Sequence, residues 1–298
     1  MNHTRLSLPV DDGLLSVLDF GGEGTEVLFV HTPGYCASSW LQVAAELAGR
    51  CRSYALDLPG HGFSSAPARN AQQVWQAVAS TIEGLGLRRP VLVGLDQGAL
   101  YTTAVAHERP ELVGALVNLS GASLHTQEEL RHIMGFATSP ELAAYILDRF
   151  KLGEIGRGEA DRQALIDSIC ELAVDDWALR ELQAGLRAEM EQSFLDLTDG
   201  YWQHLPTVQT VTACYLLNLD DGFPEAGLQA QVSVPTWLIL TEDGAYVDTI
   251  ERARVLASRD PLVTLIELTG ANGPHYLHTA AVADAVLAAC SAVVTLEV

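Results

Sequence analysis

The sequence predicts an α/β fold, with a mostly parallel eight-stranded sheet flanked by helices and an inserted helical cap. Short apolar runs of strand length alternate with helical periods near both ends of the chain. Most of these runs end in turns that contain Gly or Pro. Between residues 123 and 232 the apolar spacing is instead helical. We therefore expect residues 1–122 and 233–298 to form the core and residues 123–232 to form the cap.

The first strands are predicted from side-chain alternation and from their turns. Residues 5–10 and 14–19 alternate apolar and polar side chains around a short acidic turn, which is typical of an antiparallel edge hairpin. Residues 26–30 form an apolar strand that ends in His31-Thr32-Pro33-Gly34-Tyr35, and a helix is predicted over 38–48. Strand, loop and helix in this order are the repeating unit of a parallel sheet.

The later core elements repeat this order. A strand over 52–58 ends in a turn that contains Pro59 and Gly60. The elements predicted after it are a helix over 71–85, a strand over 91–95, a helix over 99–107, a strand over 112–119 and, beyond the insertion, a strand over 235–240, a helix after Val247, a strand over 262–268 and a final helix from residue 280.

The strand over 91–95 leads into a turn that carries a carboxylate. Gly94 and Gly98 each lie two residues from Asp96. Small residues at these positions let a strand and the following helix approach each other without a Cβ clash, as in the sharp turns that present catalytic nucleophiles. The pattern predicts that Asp96 stands at the tip of a strained turn between strand and helix.

Composition limits the classes of partner. The formal net charge is −21, and such an anionic chain is not expected to bind nucleic acid. No apolar stretch reaches membrane-spanning length, so we expect no membrane association. The five cysteines have no metal-binding spacing, which favours reduced thiols, a cytoplasmic location and no metal or other cofactor. A small hydrophobic molecule is the expected partner, and a homodimer is left open.

The order of the motifs resembles the α/β-hydrolase superfamily over nearly the whole chain. The resemblance rests on the turn at His31, the sequence Asp-Leu-Pro-Gly-His-Gly-Phe-Ser at 57–64, the Asp96 turn, the helical insertion, and Gly-Pro-His-Tyr-Leu-His at 273–278. Because Asp96 stands where most members have serine, the chain resembles the branch of the superfamily that contains epoxide hydrolases and haloalkane dehalogenases. The order of nucleophile, acid and histidine in that superfamily implies Asp96, Asp243 and His275.

This resemblance implies a two-step covalent reaction. A carboxylate is ionised at neutral pH, so Asp96 can attack an sp³ carbon directly and form an alkyl-enzyme ester. His275 would then activate the water that cleaves the ester. Asp243 would orient His275, with Glu242 or Asp248 as the alternative acids.

The sequence defines less well which residues stabilise negative charge at the site and which one protonates the leaving oxygen. The amide of Gln97, directly after the nucleophile, is expected to stabilise negative charge. A second amide would come from Gly34 or Tyr35, because Pro33 has no N–H. A tyrosine would protonate an epoxide oxygen, and the candidates are Tyr145, Tyr201, Tyr215 and Tyr246. The residues expected to contact substrate are His31, Pro33, Tyr145, Trp177, Tyr201, Trp202 and Tyr215.

The resemblance favours an epoxide hydrolase that acts on a bulky hydrophobic substrate, for instance a secondary-metabolite intermediate. A haloalkane or haloacid dehalogenase is the alternative. Such dehalogenases place a Trp directly after the nucleophile, where this chain has Gln97, although Trp177 or Trp202 would be alternative halide donors. A non-catalytic ligand-binding protein on the same fold is a third hypothesis. An esterase is disfavoured because an aspartate replaces the serine that esters acylate.

Overall fold

The computed structural model describes residues 3–174, 183–216, 228–244, 246–270 and 273–296. The strands are Thr4–Val10 (β1), Gly13–Gly21 (β2), Glu26–Val30 (β3), Arg52–Asp57 (β4), Val91–Leu95 (β5), Ala115–Leu119 (β6), Ile155–Arg157 (β7), Phe194–Asp196 (β8), Tyr201–His204 (β9), Thr236–Thr241 (β10) and Val263–Leu268 (β11). The α-helices are Leu41–Glu46 (α1), Ala71–Leu85 (α2), Gln97–Glu108 (α3), Gln127–Ala137 (α4), Pro140–Phe150 (α5), Gly158–Val174 (α6), Gln183–Met190 (α7), Val208–Tyr215 (α8), Ile250–Arg259 (α9), Pro274–Leu277 (α10) and Thr279–Leu296 (α11).

Eight strands form one sheet in the order β1-β2-β4-β3-β5-β6-β10-β11. The hairpin of β1 and β2 is antiparallel, and β2 also pairs antiparallel with β4. The remaining strands run parallel to one another. The predicted fold class is confirmed. From β3 the chain adds β4 on one side of the sheet and β5 on the other, so the strand order reverses between β3 and β5. Ligands of open α/β sheets bind at such a point, beyond the carboxyl ends of the strands.

Helices cover both faces of the sheet. Leu92 of β5 packs in the cluster that contains α2 and α3, whereas Val91 and Val93 pack in the cluster that contains α1 and α11. Adjacent residues face opposite sides because side chains alternate along a strand. Both sides are buried, so β5 is apolar throughout rather than alternating apolar and polar.

Local caps explain why one helix matches its predicted range. The Asn70 side chain accepts a hydrogen bond of 2.8 Å from the Gln73 amide at the start of α2, and Gly86 ends the helix with φ 66°. The strand predicted over 112–119 begins only at Ala115, because residues from Pro110 form a short 3₁₀ turn.

The segment between β6 and β10 is mainly helical but also contains an antiparallel sheet in the order β7-β9-β8. Its strands have only three or four residues, too few for a clear alternation in the sequence. Phe194 and Trp202 of this sheet pack with Ile166 and Leu186 from the neighbouring helices, which gives the segment an apolar cluster of its own. Among the described helices, none combines the length and apolar content required to cross a bilayer.

A buried carboxylate at the end of β4 joins two loops at the carboxyl edge of the parallel strands. Asp57 is 1% exposed and accepts hydrogen bonds from Arg5 at 2.6 Å, Ser16 at 2.8 Å, and the amides of Ala37 at 2.8 Å and Phe63 at 3.2 Å. A buried charge is stable only when it is paired and hydrogen-bonded in this way. Asp57 therefore ties the loop after β3 to the loop after β4.

Candidate active site

Asp96 occupies a strained turn at the carboxyl end of β5, with φ 50° and ψ −117°. A positive φ is costly for a residue with a Cβ and is retained where the surroundings enforce it. A Cβ on Gly94 would lie 2.5 Å from the Ala99 Cα, and a Cβ on Gly98 would lie 2.4 Å from the Val30 carbonyl oxygen. Both glycines are therefore required by close backbone approach, as the sequence predicts.

Three groups donate hydrogen bonds to the Asp96 carboxylate. The Tyr246 hydroxyl donates to Oδ1, the Thr32 hydroxyl donates to Oδ2 at 3.2 Å, and the Gln97 amide also donates. Burial raises the pKa of Asp96 above its ordinary value, and these hydrogen bonds oppose that increase because they stabilise the charged form. The carboxylate is thus partly desolvated but held by donors.

His275 faces the same cavity as Asp96. Its imidazole is fully buried, with ring centroids 5.3 Å from Trp40 and 4.0 Å from Tyr276. Within the described ranges, neither ring nitrogen has a hydrogen-bond partner. Burial lowers the pKa of His275 to about 3, because the charged imidazolium is disfavoured away from water. The imidazole is therefore neutral at pH 7, which is the form required of a general base.

The structure does not join Asp243 to His275. Asp243 is exposed, and its amide donates to the Gly270 carbonyl oxygen at 3.1 Å. The Glu242 side chain is exposed as well, and Asp248 lies 3.5 Å from His125. The turn after β10 is held against the end of β11 by its backbone amides, so its side chains extend into solvent. The acid expected from the superfamily order does not contact the histidine in this structure.

The two amides expected to complete the oxyanion site already donate to other acceptors. The Gly34 amide donates to His61 Nε2 at 3.1 Å, and the Tyr35 amide donates to the Thr32 carbonyl oxygen at 3.1 Å. Neither amide is directed to Asp96, because the first is bonded to the loop after β4 and the second closes the turn after β3. The donors that do reach Asp96 from these turns are the hydroxyl of Thr32 and the backbone amide of Gln97. No role for Thr32 was predicted from the sequence, because a single hydroxyl in a turn carries no distinctive pattern.

His31 and Pro33 do not line the cavity. His31 accepts the Leu58 amide at Nε2 at 3.0 Å, and its Nδ1 is bonded to the Thr32 carbonyl oxygen at 2.8 Å. Both nitrogens are therefore occupied by backbone groups, and burial lowers the pKa of His31 to about 4. Pro33 is also buried. These two residues shape the turn rather than contact substrate.

Two of the predicted tyrosines lie close to Asp96 or to the Thr32 side chain that bonds to it. Tyr246 contacts Asp96 directly, and Tyr215 of α8 makes a side-chain hydrogen bond with Thr32. Burial and the nearby Asp96 charge raise the pKa of both phenols. Tyr215 thus places a phenol from the segment between β6 and β10 next to Thr32 in the loop after β3.

The other aromatic candidates lie elsewhere. Tyr145 is 51% exposed, and the exposed Tyr201 ring lies 5.1 Å from the Arg157 guanidinium. The Trp202 indole donates to the Gly158 carbonyl oxygen at 2.9 Å within the apolar cluster of the insertion. None of these three side chains lines the cavity that contains Asp96, so their positions do not support the predicted contacts with substrate. Trp177 lies outside the described residues.

The cavity above Asp96 has a volume of about 220 Å³. Its polar groups are contributed by residues that include Asp96, His275, Tyr246 and Thr32. The apolar side chains in its lining are Leu95, Leu119, Phe150, Ile239, Leu240 and Pro274. An apolar wall with a few convergent polar groups is typical of a small-molecule site.

Buried neutral histidines make the stability of the protein depend on pH. Burial lowers the pKa of His31 to about 4 and the pKa values of His61 and His275 to about 3, whereas unfolded histidine titrates near 6.5. Each histidine takes up a proton on unfolding below pH 6.5, so its stabilising contribution is complete above that pH and decreases as the pH falls toward the folded pKa. The raised pKa values of Asp96 and Glu189 act in the opposite direction.

We expect the free energy of unfolding to decrease by about 2 kcal/mol between pH 6.5 and pH 5.0. Urea denaturation across this range measures the change. A free energy that stays constant or rises as the pH falls would contradict the neutral, buried state of these imidazoles.

Comparisons with known proteins agree with this architecture. The family model described as "Alpha/beta hydrolase family" matches residues 27–288. The (E)-2-((N-methylformamido)methylene)succinate hydrolase of Acinetobacter baylyi is 33% identical over 107 residues, which is 35% of this chain and 41% of that relative. Epoxide hydrolase 2 of Siraitia grosvenorii is 32% identical over 120 residues, which is 39% of this chain and 38% of that relative.

A solved structure resembles nearly the whole chain. The crystal structure of E-2-(acetamidomethylene)succinate hydrolase superposes with a TM-score of 0.73 and 16% identity, covering 96% of this chain and 98% of that one. The chain spans less than half the length of the curated relatives it matches. Since the family model covers most of the sequence and the sheet has the corresponding topology, the chain belongs to the alpha/beta hydrolase family.

Proposed function

We propose that this hydrolase opens an epoxide by attack of Asp96, and that the resulting alkyl-enzyme ester is hydrolysed with His275 as the base. The proposal rests on one observation: Asp96, the Tyr246 hydroxyl and the neutral imidazole of His275 face a single, largely apolar cavity. The similarity to an epoxide hydrolase from Siraitia grosvenorii also supports it.

Tyr246 is suited to protonate the departing oxygen. In the first step an Asp96 oxygen forms a bond to an epoxide carbon, the C–O bond of the ring breaks, and the Tyr246 proton moves to the new alkoxide. The negative charge of Asp96 helps to raise the pKa of Tyr246 in the free enzyme. Ester formation removes that charge, so the phenol becomes a stronger acid at the moment its proton is needed.

Ester hydrolysis is assigned to His275. The imidazole takes a proton from water, the hydroxide oxygen adds to the Asp96 carbonyl carbon, and the ester C–O bond breaks. The leaving alkoxide takes the proton of the new carboxylic acid, which releases the diol and restores the Asp96 carboxylate. The Gln97 amide and the Thr32 hydroxyl, which contact the carboxylate in the free enzyme, can stabilise the tetrahedral oxyanion. The proton on His275 then returns through water to the Tyr246 phenolate.

The cavity volume favours a smaller substrate than the sequence suggests. A cavity of about 150 Å³ accommodates benzene, and drug-sized ligands occupy roughly 300–1,000 Å³. The volume of about 220 Å³ therefore fits an epoxide with a single ring or a short chain better than a bulky one.

A single-turnover reaction in heavy-oxygen water tests the covalent step. Excess enzyme is mixed with styrene oxide, whose one ring fits the volume, and with short alkyl epoxides. We expect the label to enter the Asp96 carboxylate first, detected by mass spectrometry of the peptide that contains it, and the first diol to be unlabelled. Label in the diol alone would mean that water attacks the epoxide directly and would overturn the ester intermediate.

The dehalogenase alternative has less support in the geometry. A leaving halide needs N–H donors, and the part of the cavity formed by described residues is lined by neither Trp nor Asn. The Gln97 side chain is directed to the Met134 sulfur at 3.7 Å, and the Trp202 indole is bonded within the insertion. Halide release from 1-chlorohexane and chloroacetate, without epoxide turnover, would reverse this preference. Tight ligand binding without turnover would instead favour the ligand-binding alternative.

A further inference from the structure

Glu189 of α7 is a buried carboxylate that contacts the core from the insertion. It is 1% exposed. Its Oε1 accepts hydrogen bonds from the Cys36 amide at 2.9 Å and the Ser39 hydroxyl at 2.8 Å, and its Oε2 accepts the Tyr276 hydroxyl at 2.7 Å. These three hydrogen bonds replace the water contacts that the carboxylate loses on burial. The arrangement joins α7 to the loop after β3 and to the residue next to His275.

The contact with Tyr276 extends to the imidazole of the proposed base. The Tyr276 and His275 rings have centroids 4.0 Å apart. One turn before Glu189, a Cβ on Gly185 would lie 2.3 Å from the Tyr276 ring, so the absence of a side chain there lets the ring approach α7. Gly185 and Glu189 share one face of the helix because they are four residues apart. The ring and the hydroxyl of Tyr276 are thus both fixed by the same face of α7.

We propose that Glu189 is a positioning residue for His275 and acts through Tyr276, in place of the contact expected from Asp243. This inference rests on the proposed role of His275 as the base in ester hydrolysis. Within the described part of the chain, both His275 nitrogens lack hydrogen bonds, so ring packing against Trp40 and Tyr276 is what orients the imidazole. A ring held in this way keeps a nitrogen available for water. Glu189 holds the Tyr276 ring in place by accepting its hydroxyl hydrogen bond.

The titration of Glu189 provides a readout. Burial, with a smaller contribution from the Asp57 charge, raises the pKa of Glu189 to about 7. The other titratable groups that face it are Cys36 and Tyr276, and burial raises the pKa of each above its ordinary value. Neither group changes charge near pH 7. Loss of the carboxylate charge below pH 7 weakens the acceptor for the Tyr276 hydroxyl, so ester hydrolysis should slow as the pH falls.

The kinetic experiment separates the two chemical steps by rapid quench with styrene oxide. Glu189→Gln and Tyr276→Phe are expected to slow ester hydrolysis by up to about 10²-fold while ester formation stays near the wild-type rate. The pH dependence near 7 should be absent in Glu189→Gln. Glu191→Gln is the matched control, since it makes the same substitution at an exposed carboxylate two residues further along the chain, and it should leave both steps unchanged.

A second measurement does not depend on turnover. The imidazole carbon-bound proton resonance of His275, assigned with a His275→Gln variant, is expected to shift in Glu189→Gln and Tyr276→Phe but not in Glu191→Gln. An unchanged resonance in Glu189→Gln would overturn the positioning role, as would equal effects of Glu191→Gln and Tyr276→Phe, or slowing of ester hydrolysis by Asp243→Asn alone. If the resonance shifts but wild-type enzyme forms no ester, the positioning role stands and the proposed reaction fails.

Discussion

Replacing Asp96 with Asn is expected to lower epoxide turnover by about 10⁴-fold or more, as for removal of a covalent nucleophile in other enzymes. The uncharged amide cannot form the ester, because its oxygen is a far weaker nucleophile than a carboxylate oxygen. The amide oxygen can still accept the Tyr246 hydroxyl, so the turn should retain its shape. Steady-state turnover of styrene oxide, followed by diol formation, measures the effect.

Two controls define this result. The unfolding temperature of Asp96→Asn should be close to that of the wild type, since the desolvated charge is removed without a change in size. Asp148→Asn, which alters a side chain that is 90% exposed on α5, should retain full turnover. Activity of Asp96→Asn within tenfold of the wild type would exclude Asp96 as the nucleophile.

Replacing His275 with Gln is expected to trap the alkyl-enzyme ester. Ester formation needs only Asp96 and Tyr246, whereas ester hydrolysis needs a base, and loss of a general base typically costs 10²–10⁴-fold. Mixing the variant with styrene oxide should give one equivalent of adduct, detected as the mass of protein plus epoxide. The steady-state rate should fall by about 10³-fold.

His275→Phe provides a second variant if the buried amide of Gln impairs folding. A phenyl ring preserves the aromatic packing against Trp40 and Tyr276 but accepts no proton. Both variants should accumulate the same adduct on the peptide that contains Asp96. Rapid turnover by either folded variant, without accumulation of adduct, would show that another group activates the water.

Backbone features of the fold could be predicted because they depend on local patterns. Helix α2 has an Asn cap, a Gly at its end and regular apolar spacing, and its range follows from these alone. The turn at Asp96 was predictable for a similar reason, since Gly94 and Gly98 each lie where a Cβ would meet the backbone. Short strands such as β9 were not predictable, because four residues carry little periodic signal.

Side-chain partners in the candidate site could not be predicted to the same extent. The Gly34 amide was a reasonable oxyanion donor by chain position, yet its hydrogen is directed to His61 from another loop. Asp243 follows the expected strand, but the turn directs its side chain to solvent. The aromatic residues of the insertion look alike in the sequence, yet among those that the structure describes Tyr215 bonds to Thr32 and Phe150 lines the cavity, whereas Tyr145 is exposed.

The sequence by itself determined the sheet of the alpha/beta hydrolase family and the Asp96 turn, because apolar periodicity and close-packed glycines act between near neighbours or along whole strands. Only the tertiary structure decided which groups surround that carboxylate and its candidate base. Thr32, Tyr246 and Glu189 reach the site from separate segments, and the contacts they make depend on how loops close and where an inserted helix docks. Such contacts are set by three-dimensional packing, which no spacing along the chain encodes.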